Sequence, residues 1–164
     1  MHSKTNCLSS FCYQTQVTSQ LSPSLKLNMV ITETGAGKAV AKALPALEGK
    51  LTSNAIRVPV PNGSLVVLNL QLRTETTRDA LNAMIKYNAL EGHLVEQIQY
   101  AMSNELVSSD IIGTTAPAIF DSKATITDKD TVVLYVWYDN EYGYSHQVIR
   151  LAKHIAKVRR YTYY

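Results

Sequence analysis

The sequence predicts an α+β domain, a mostly antiparallel sheet with helices on one face. Two observations predict it. Strand-like runs with helical runs interspersed do not follow the regular strand–helix alternation of a doubly wound fold, and several of the strand-like runs are joined by short hairpin-type turns. A length of 164 residues suits one domain with a real core.

Taken in order, Met29–Ile31 reads as a short strand, followed by the turn at Thr34 and Gly35 and an alanine-rich helix from about Ala36 to Ala43. Ala55–Val60 and Ser64–Leu72 read as strands joined as a hairpin across Pro61-Asn62-Gly63. Pro59 and Pro61 push the first of these toward an edge. Ala80, Leu81, Met84 and Ile85 have helical spacing, with Thr76 or Thr77 as the cap. A second short helix is expected over His93–Ala101. The runs "APAIFDSKATIT" and "TVVLYVWYD" form a hairpin around Asp128-Lys129-Asp130. Ser145 is expected to cap a terminal helix with Val148, Ile149, Ala152, Ile155 and Ala156 on one face.

Residues 1–27 contain no acid and are rich in Ser, Thr and Gln, so a weakly ordered or aberrant segment is expected there, with the folded domain over 28–164. A signal peptide needs an apolar core of roughly 7–15 residues, which this segment lacks. A transit peptide is disfavoured because no arginine precedes Arg57. No run approaches the length of a membrane span, and a net charge of +3 is too small to imply a nucleic-acid partner. The nearest basic cluster, Lys153, His154, Lys157, Arg159 and Arg160, reads as a solvated helix end. With only Cys7 and Cys12, neither a disulfide framework nor a cysteine zinc site can be built, which fits a reducing cytoplasmic setting.

Few residues suggest chemistry. Thr34-Gly35 at a helix start is a plain cap or an anion cradle. Arg57, a guanidinium in an apolar strand, needs a salt-bridge partner or an anionic ligand. His2, His93, His146 and His154 lack metal-ligand spacing and stand beside no nucleophile motif, so no metal site and no catalytic histidine is expected. Asp110 and Asp121 read as turn organisers. In "VWYDNEYGYS", Trp137 and Tyr138 suit a strand anchor and Gly143 a turn, while the amide of Asn140 could read another amide.

Taken together, "ITETGAGKAVAKALPALEGKL", "AIRVPVPNGSLVVLNL", "VSSDI" and "YVWYDNEYGYSHQVIRL" closely resemble the catalytic domain of glyceraldehyde-3-phosphate dehydrogenase, over about Asn28 to Val158. The resemblance implies an α+β unit that follows a dinucleotide-binding domain and works in a homo-oligomer. It implies that Thr34 and Gly35 bind inorganic phosphate and that Arg57 grips the phosphate of a phosphorylated aldehyde. It further implies that Asn140 hydrogen-bonds the nicotinamide carboxamide of NAD, with Tyr144 close to the same ring. The family's nucleophilic cysteine, in an "SCTTN" run, and its base histidine have no counterpart, and Cys12 in "SFCYQ" is not promoted to that role. No Gly-rich dinucleotide turn occurs, nor the arginine-bearing basic loop before the first strand. The expectation is therefore a fragment inactive alone, weakly able to hold NAD. The alternatives are a non-catalytic interaction or oligomerisation module and, more narrowly, a relative acting on erythrose 4-phosphate.

Overall fold

The computed structural model describes the backbone of Cys7–Ser19 and residues 28–158 in full; His2, Arg159 and Arg160 lie outside that range. Among the described residues, eight strands and three α-helices follow in the order β1 (Cys7–Ser19), β2 (Val30–Glu33), α1 (Ala36–Ala43), β3 (Leu51–Val58), β4 (Ser64–Leu72), α2 (Arg78–Leu90), β5 (Ile98–Ala101), β6 (Ala118–Asp121), β7 (Ile126–Asp128), β8 (Thr131–Tyr138) and α3 (Asn140–Ile155). The strands form one sheet in the order β2-β3-β1-β4-β8-β6-β5, with β7 paired to β8. This is the expected α+β class, but the sheet is mixed. The pairs β1–β3 and β5–β6 run parallel, and the others run antiparallel.

Three expectations are corrected. Cys7–Ser19 is not weakly ordered: it is a strand inside the sheet, flanked by β3 and β4. Composition hid the alternation of Tyr13, Thr15 and Val17 with Gln14, Gln16 and Thr18, β-favouring residues at period 2, which is a strand signal. In consequence β3 and β4 are not a hairpin; β1 separates them, and Pro61-Asn62-Gly63 bridges across it. Over His93–Ala101 there is no helix but a run of turns leading into β5, with Glu96 at φ 67°. A non-glycine residue in the left-handed region stops a helix there.

The other elements follow local chemistry. Thr77 Oγ1 accepts from Ala80 N at 3.3 Å and starts α2. Arg78 and Asn82 on that helix then donate to the carbonyl of Ser122, tying α2 to the turn after β6. In that turn, Asp121 accepts from the backbone of Lys123 and Ala124 and from Trp137 Nε1, so it organises the turn as expected and anchors the tryptophan of β8. Asp110 does the same by accepting from Val107 N at 3.0 Å. The buried apolar residues, Leu47, Ala55, Ala89, Ile111, Ile119, Phe120 and Val132 among those described, form a modest core. Most side chains of β4 and β8 are only half-buried.

Candidate functional site

The strand register brings the first set of residues together. Val30, Arg57, Thr18, Ser64 and Tyr138 are successive direct partners across β2, β3, β1, β4 and β8. Directly paired residues lie on the same side of a sheet, so the Arg57 and Ser64 side chains share a face, two strand spacings or about 10 Å apart. Ser53 and Arg57 share that face too, because even separations along a strand do. Gly37 N donates to Ser53 Oγ at 3.3 Å, which lays α1 over the same face. The turn at Thr34 and Gly35 joins β2 to the start of this helix.

At that turn Thr34 Oγ1 accepts from Ala36 N at 3.2 Å, satisfying one of the unpaired donors of the helix start. Gly35 differs from the other glycines of this region. Its φ of −81° is open to any residue, and a Cβ added there would meet nothing within 4 Å. No packing or backbone demand of the chain explains a glycine at that position. Gly37, by contrast, is closely approached: a Cβ would stand 2.9 Å from Ser53 Oγ, so that side chain would have to shift. Arg57 is half-buried in β3.

The second set gathers at the start of α3. The helix begins at Asn140, capped by Asp139, and not at Ser145; Ser145 lies within it. A carboxylate placed to accept two N–H groups explains the earlier start, since Asp139 Oδ1 accepts from Glu141 N at 2.9 Å and Tyr142 N at 3.0 Å. Its other oxygen accepts from Asn62 Nδ2 at 3.1 Å and Gly113 N at 3.0 Å. Asp139 therefore joins the β3–β4 connection, the loop at Gly113 and the helix in one cluster, and it is 1 % exposed. Burial alone would raise its pKa. The hydrogen bonds from Gly113, Tyr142, Glu141 and Asn62 outweigh that, and the carboxyl is held below its ordinary 3.8.

Asn140 follows at once. Its side chain is exposed, but Oδ1 accepts from Ser64 Oγ at 2.7 Å, across 76 residues of sequence. Ser64 itself is 2 % exposed. Gly143 is not a turn residue; it lies in the helix where a Cβ would come within 3.4 Å of the Ala116 carbonyl and of Pro117. Beside that close approach lies an open cleft of about 370 Å³ lined by Pro117, Tyr138, Asp139, Asn140, Gly143, Tyr144 and Gln147. Tyr144, 72 % exposed, forms one wall.

Thr34, Gly35 and Arg57 thus lie at the β2–α1 side of one sheet face, and Asn140 reaches the same face through Ser64. Tyr144 stands one helical turn beyond Asn140. Sequence reasoning missed two supports of this arrangement. Asp139 has a local signal, an acid just ahead of a helix, that was masked by assigning the cap to Ser145. Ser64 has none, because its contact is between segments far apart in the chain. Among the described residues, no group of histidine, cysteine, aspartate and glutamate could hold a metal ion.

Residues 4–140 match the family model for the glyceraldehyde 3-phosphate dehydrogenase C-terminal domain. That match starts well ahead of Asn28 and takes in β1. A glyceraldehyde-3-phosphate dehydrogenase-like protein of Pseudomonas aeruginosa is 52 % identical over 135 residues, covering 82 % of this chain and 29 % of the relative. Glyceraldehyde-3-phosphate dehydrogenase 3 of Saccharomyces cerevisiae is 45 % identical over 131 residues, covering 79 % and 39 % respectively. A cytosolic glyceraldehyde-3-phosphate dehydrogenase of Pinus sylvestris is 45 % identical over 130 residues, covering 79 % and 38 %. The chain spans well under half the length of each of these relatives.

Proposed function

Because the chain belongs to the family of the glyceraldehyde 3-phosphate dehydrogenase C-terminal domain, we propose that it forms the substrate-reading part of an NAD-dependent, phosphorylating aldehyde dehydrogenase of glucose metabolism. In this reading Thr34 and Gly35 bind inorganic phosphate at the start of α1, and Arg57 binds the phosphate of the aldehyde substrate, glyceraldehyde 3-phosphate. Asn140 hydrogen-bonds the carboxamide of the nicotinamide ring, and Tyr144 lies against that ring. The observation that carries the reading is the shared sheet face: Arg57 and Ser64 are aligned across the strands, and Ser64 holds Asn140. Gly35, free of any packing or backbone demand, adds an N–H at a helix start where an anion can approach.

NAD, when bound, takes up the hydride. The residues here suit only its nicotinamide end: Asn140 offers amide donors and Tyr144 an exposed ring beside an open cleft. The chain's own residues bind and orient, and orientation is itself a large share of such a barrier. Nucleophile and dinucleotide cradle are assigned to the part of the relatives' length that this chain does not span. The same reading gives a cytoplasmic setting, in line with the relative from Pinus sylvestris named as cytosolic, and assembly into a homo-oligomer.

The test is titration of the isotope-labelled chain with inorganic phosphate and with glyceraldehyde 3-phosphate. Phosphate is expected to shift the amides of Gly35 and Ala36, and Arg57→Ala to weaken binding of the sugar phosphate about 10- to 100-fold, the loss of a charge-assisted contact. Unmoved amides at the start of α1, together with unchanged binding by the variant, would overturn the reading. A second reading, an assembly module, is favoured by one observation: Tyr144, Val148, Leu151 and Ile155 make an exposed apolar stripe along α3.

A further inference from the structure

We propose that Asn62 is a site of spontaneous covalent modification: its side chain closes onto the backbone nitrogen of Gly63, is converted to aspartate or isoaspartate, and thereby releases the first turn of α3. The Asn-Gly pair does not serve as a hairpin turn here, since β1 lies between β3 and β4. Two separate demands of the fold put these residues side by side. Gly63 sits at φ 94°, and a Cβ there would stand 3.2 Å from the Ser108 carbonyl, so backbone and packing both favour glycine. Asn62 donates from Nδ2 to Asp139 Oδ2 at 3.1 Å, a contact to a buried carboxylate that only a donor can make. Together they yield the one Asn-Gly pair among the nine asparagines of the sequence. Glycine, having no side chain, shields its own nitrogen least.

The reacting atoms are already close. Gly63 N donates to Asn62 Oδ1 at 2.7 Å, and a carbonyl bond of about 1.23 Å then puts this nitrogen within about 4 Å of Cγ. When that contact opens, hydroxide removes the Gly63 N–H proton and the nitrogen attacks Cγ. The Cγ–Nδ2 bond breaks, and Nδ2 takes a proton from water and leaves as ammonia. One water opens the resulting five-membered imide at either carbonyl, and nothing is oxidised or reduced. Neither product can resume the old place. Aspartate at this position sets a carboxylate, an acceptor only, against the Asp139 carboxylate. Isoaspartate also adds a methylene to the backbone directly ahead of the buried Gly63, where the Ser108 carbonyl leaves little room. Asp139 caps α3 by accepting from Glu141 N and Tyr142 N, so the disturbance reaches the start of that helix.

The experiment ages the full chain in heavy-oxygen water at mildly alkaline pH and maps its peptides by mass spectrometry. Asn62 is expected to be converted ahead of every other asparagine, with one heavy oxygen taken up and isoaspartate detected by enzymatic methylation. Asn62→Gln, whose longer side chain cannot close the five-membered ring, should lose the signal. An Asn62 converted no sooner than the other asparagines overturns the proposal. In a second arm, the modified fraction is separated from the aged chain by anion exchange and compared with fresh chain by amide hydrogen exchange. The Glu141 and Tyr142 amides should exchange about 5- to 30-fold faster in it, the factor that goes with one lost hydrogen bond to a charged group. Unchanged exchange at those two amides overturns the release of α3. The chain is folded before it is aged, so neither arm depends on whether a variant folds.

Discussion

Asp139 places four donors on two oxygens with almost no solvent, so substitutions there discriminate between a simple cap and a junction. Asparagine is ordinarily a good helix cap. In this position its NH₂ branch must face either Asn62 and Gly113 or the helix N–H groups, donor against donor. Asp139→Asn is therefore expected to cost about 1–3 kcal/mol in urea unfolding, beyond any loss of a cap. Acid should act in the same direction. The folded pKa lies below the unfolded value, so the carboxylate's contribution is complete above the ordinary value of 3.8 and is lost as pH falls through the depressed one. Unfolding curves between pH 5 and pH 2 (roughly the span over which such a group titrates) should show that loss in the natural chain and less of it in Asp139→Asn. At this scale the sequence exposed the residues that speak for themselves. Thr34, Arg57 and Asn140 are polar groups in places where polar groups need a reason. Ser64 was silent, since a serine starting a strand is ordinary until its partner from another segment is known.

Elements were legible where their signals are local. The bounds of α1 and β4 and the cap of α2 agree with the reading from the sequence, because propensity, apolar alternation and a threonine before a helix each act within a few residues. The β3–β4 hairpin failed for the opposite reason: which strand lies beside which is a tertiary matter. Helix α1 offers a test of how tightly it is laid on the sheet. Gly37→Ala improves helix propensity by about 1 kcal/mol but drives a methyl to 2.9 Å from Ser53 Oγ. The single variant should be destabilised, and Ser53→Ala in the same chain should recover part of the loss; a double-mutant cycle in urea measures the coupling. Helix α3 offers another. Leu151 and Ile155 are 59 % and 71 % exposed, so Leu151→Gln with Ile155→Gln should leave unfolding free energy within about 0.5 kcal/mol. The same pair should lower self-association in sedimentation velocity, because the apolar stripe is interrupted.

For the whole molecule, the decisive feature is the inclusion of β1. With it, β2 and β3 are continuous with β4, β8, β6 and β5; without it, the sheet order contains no contact between those two groups of strands. Deletion of residues 1–19 is expected to abolish a single cooperative urea transition followed by circular dichroism, and a truncated chain unfolding as sharply as the full one would place β1 outside the cooperative unit. Reading the fold class from sequence succeeded because it depends on the number and spacing of elements. Reading the start of the domain failed because a serine- and glutamine-rich strand resembles a linker in composition. The strand that joins the two parts of the sheet is also the first of the described strands to be synthesised. Its neighbours β3 and β4 end only at Val58 and Leu72. At about 5–20 residues per second, the ribosome delivers Leu72 about 3–10 seconds after Ser19. Val58 is made earlier, so β1 waits with both edges open until β3 is complete and then with one edge open until β4 is, and the strand that needs two neighbours is made before either.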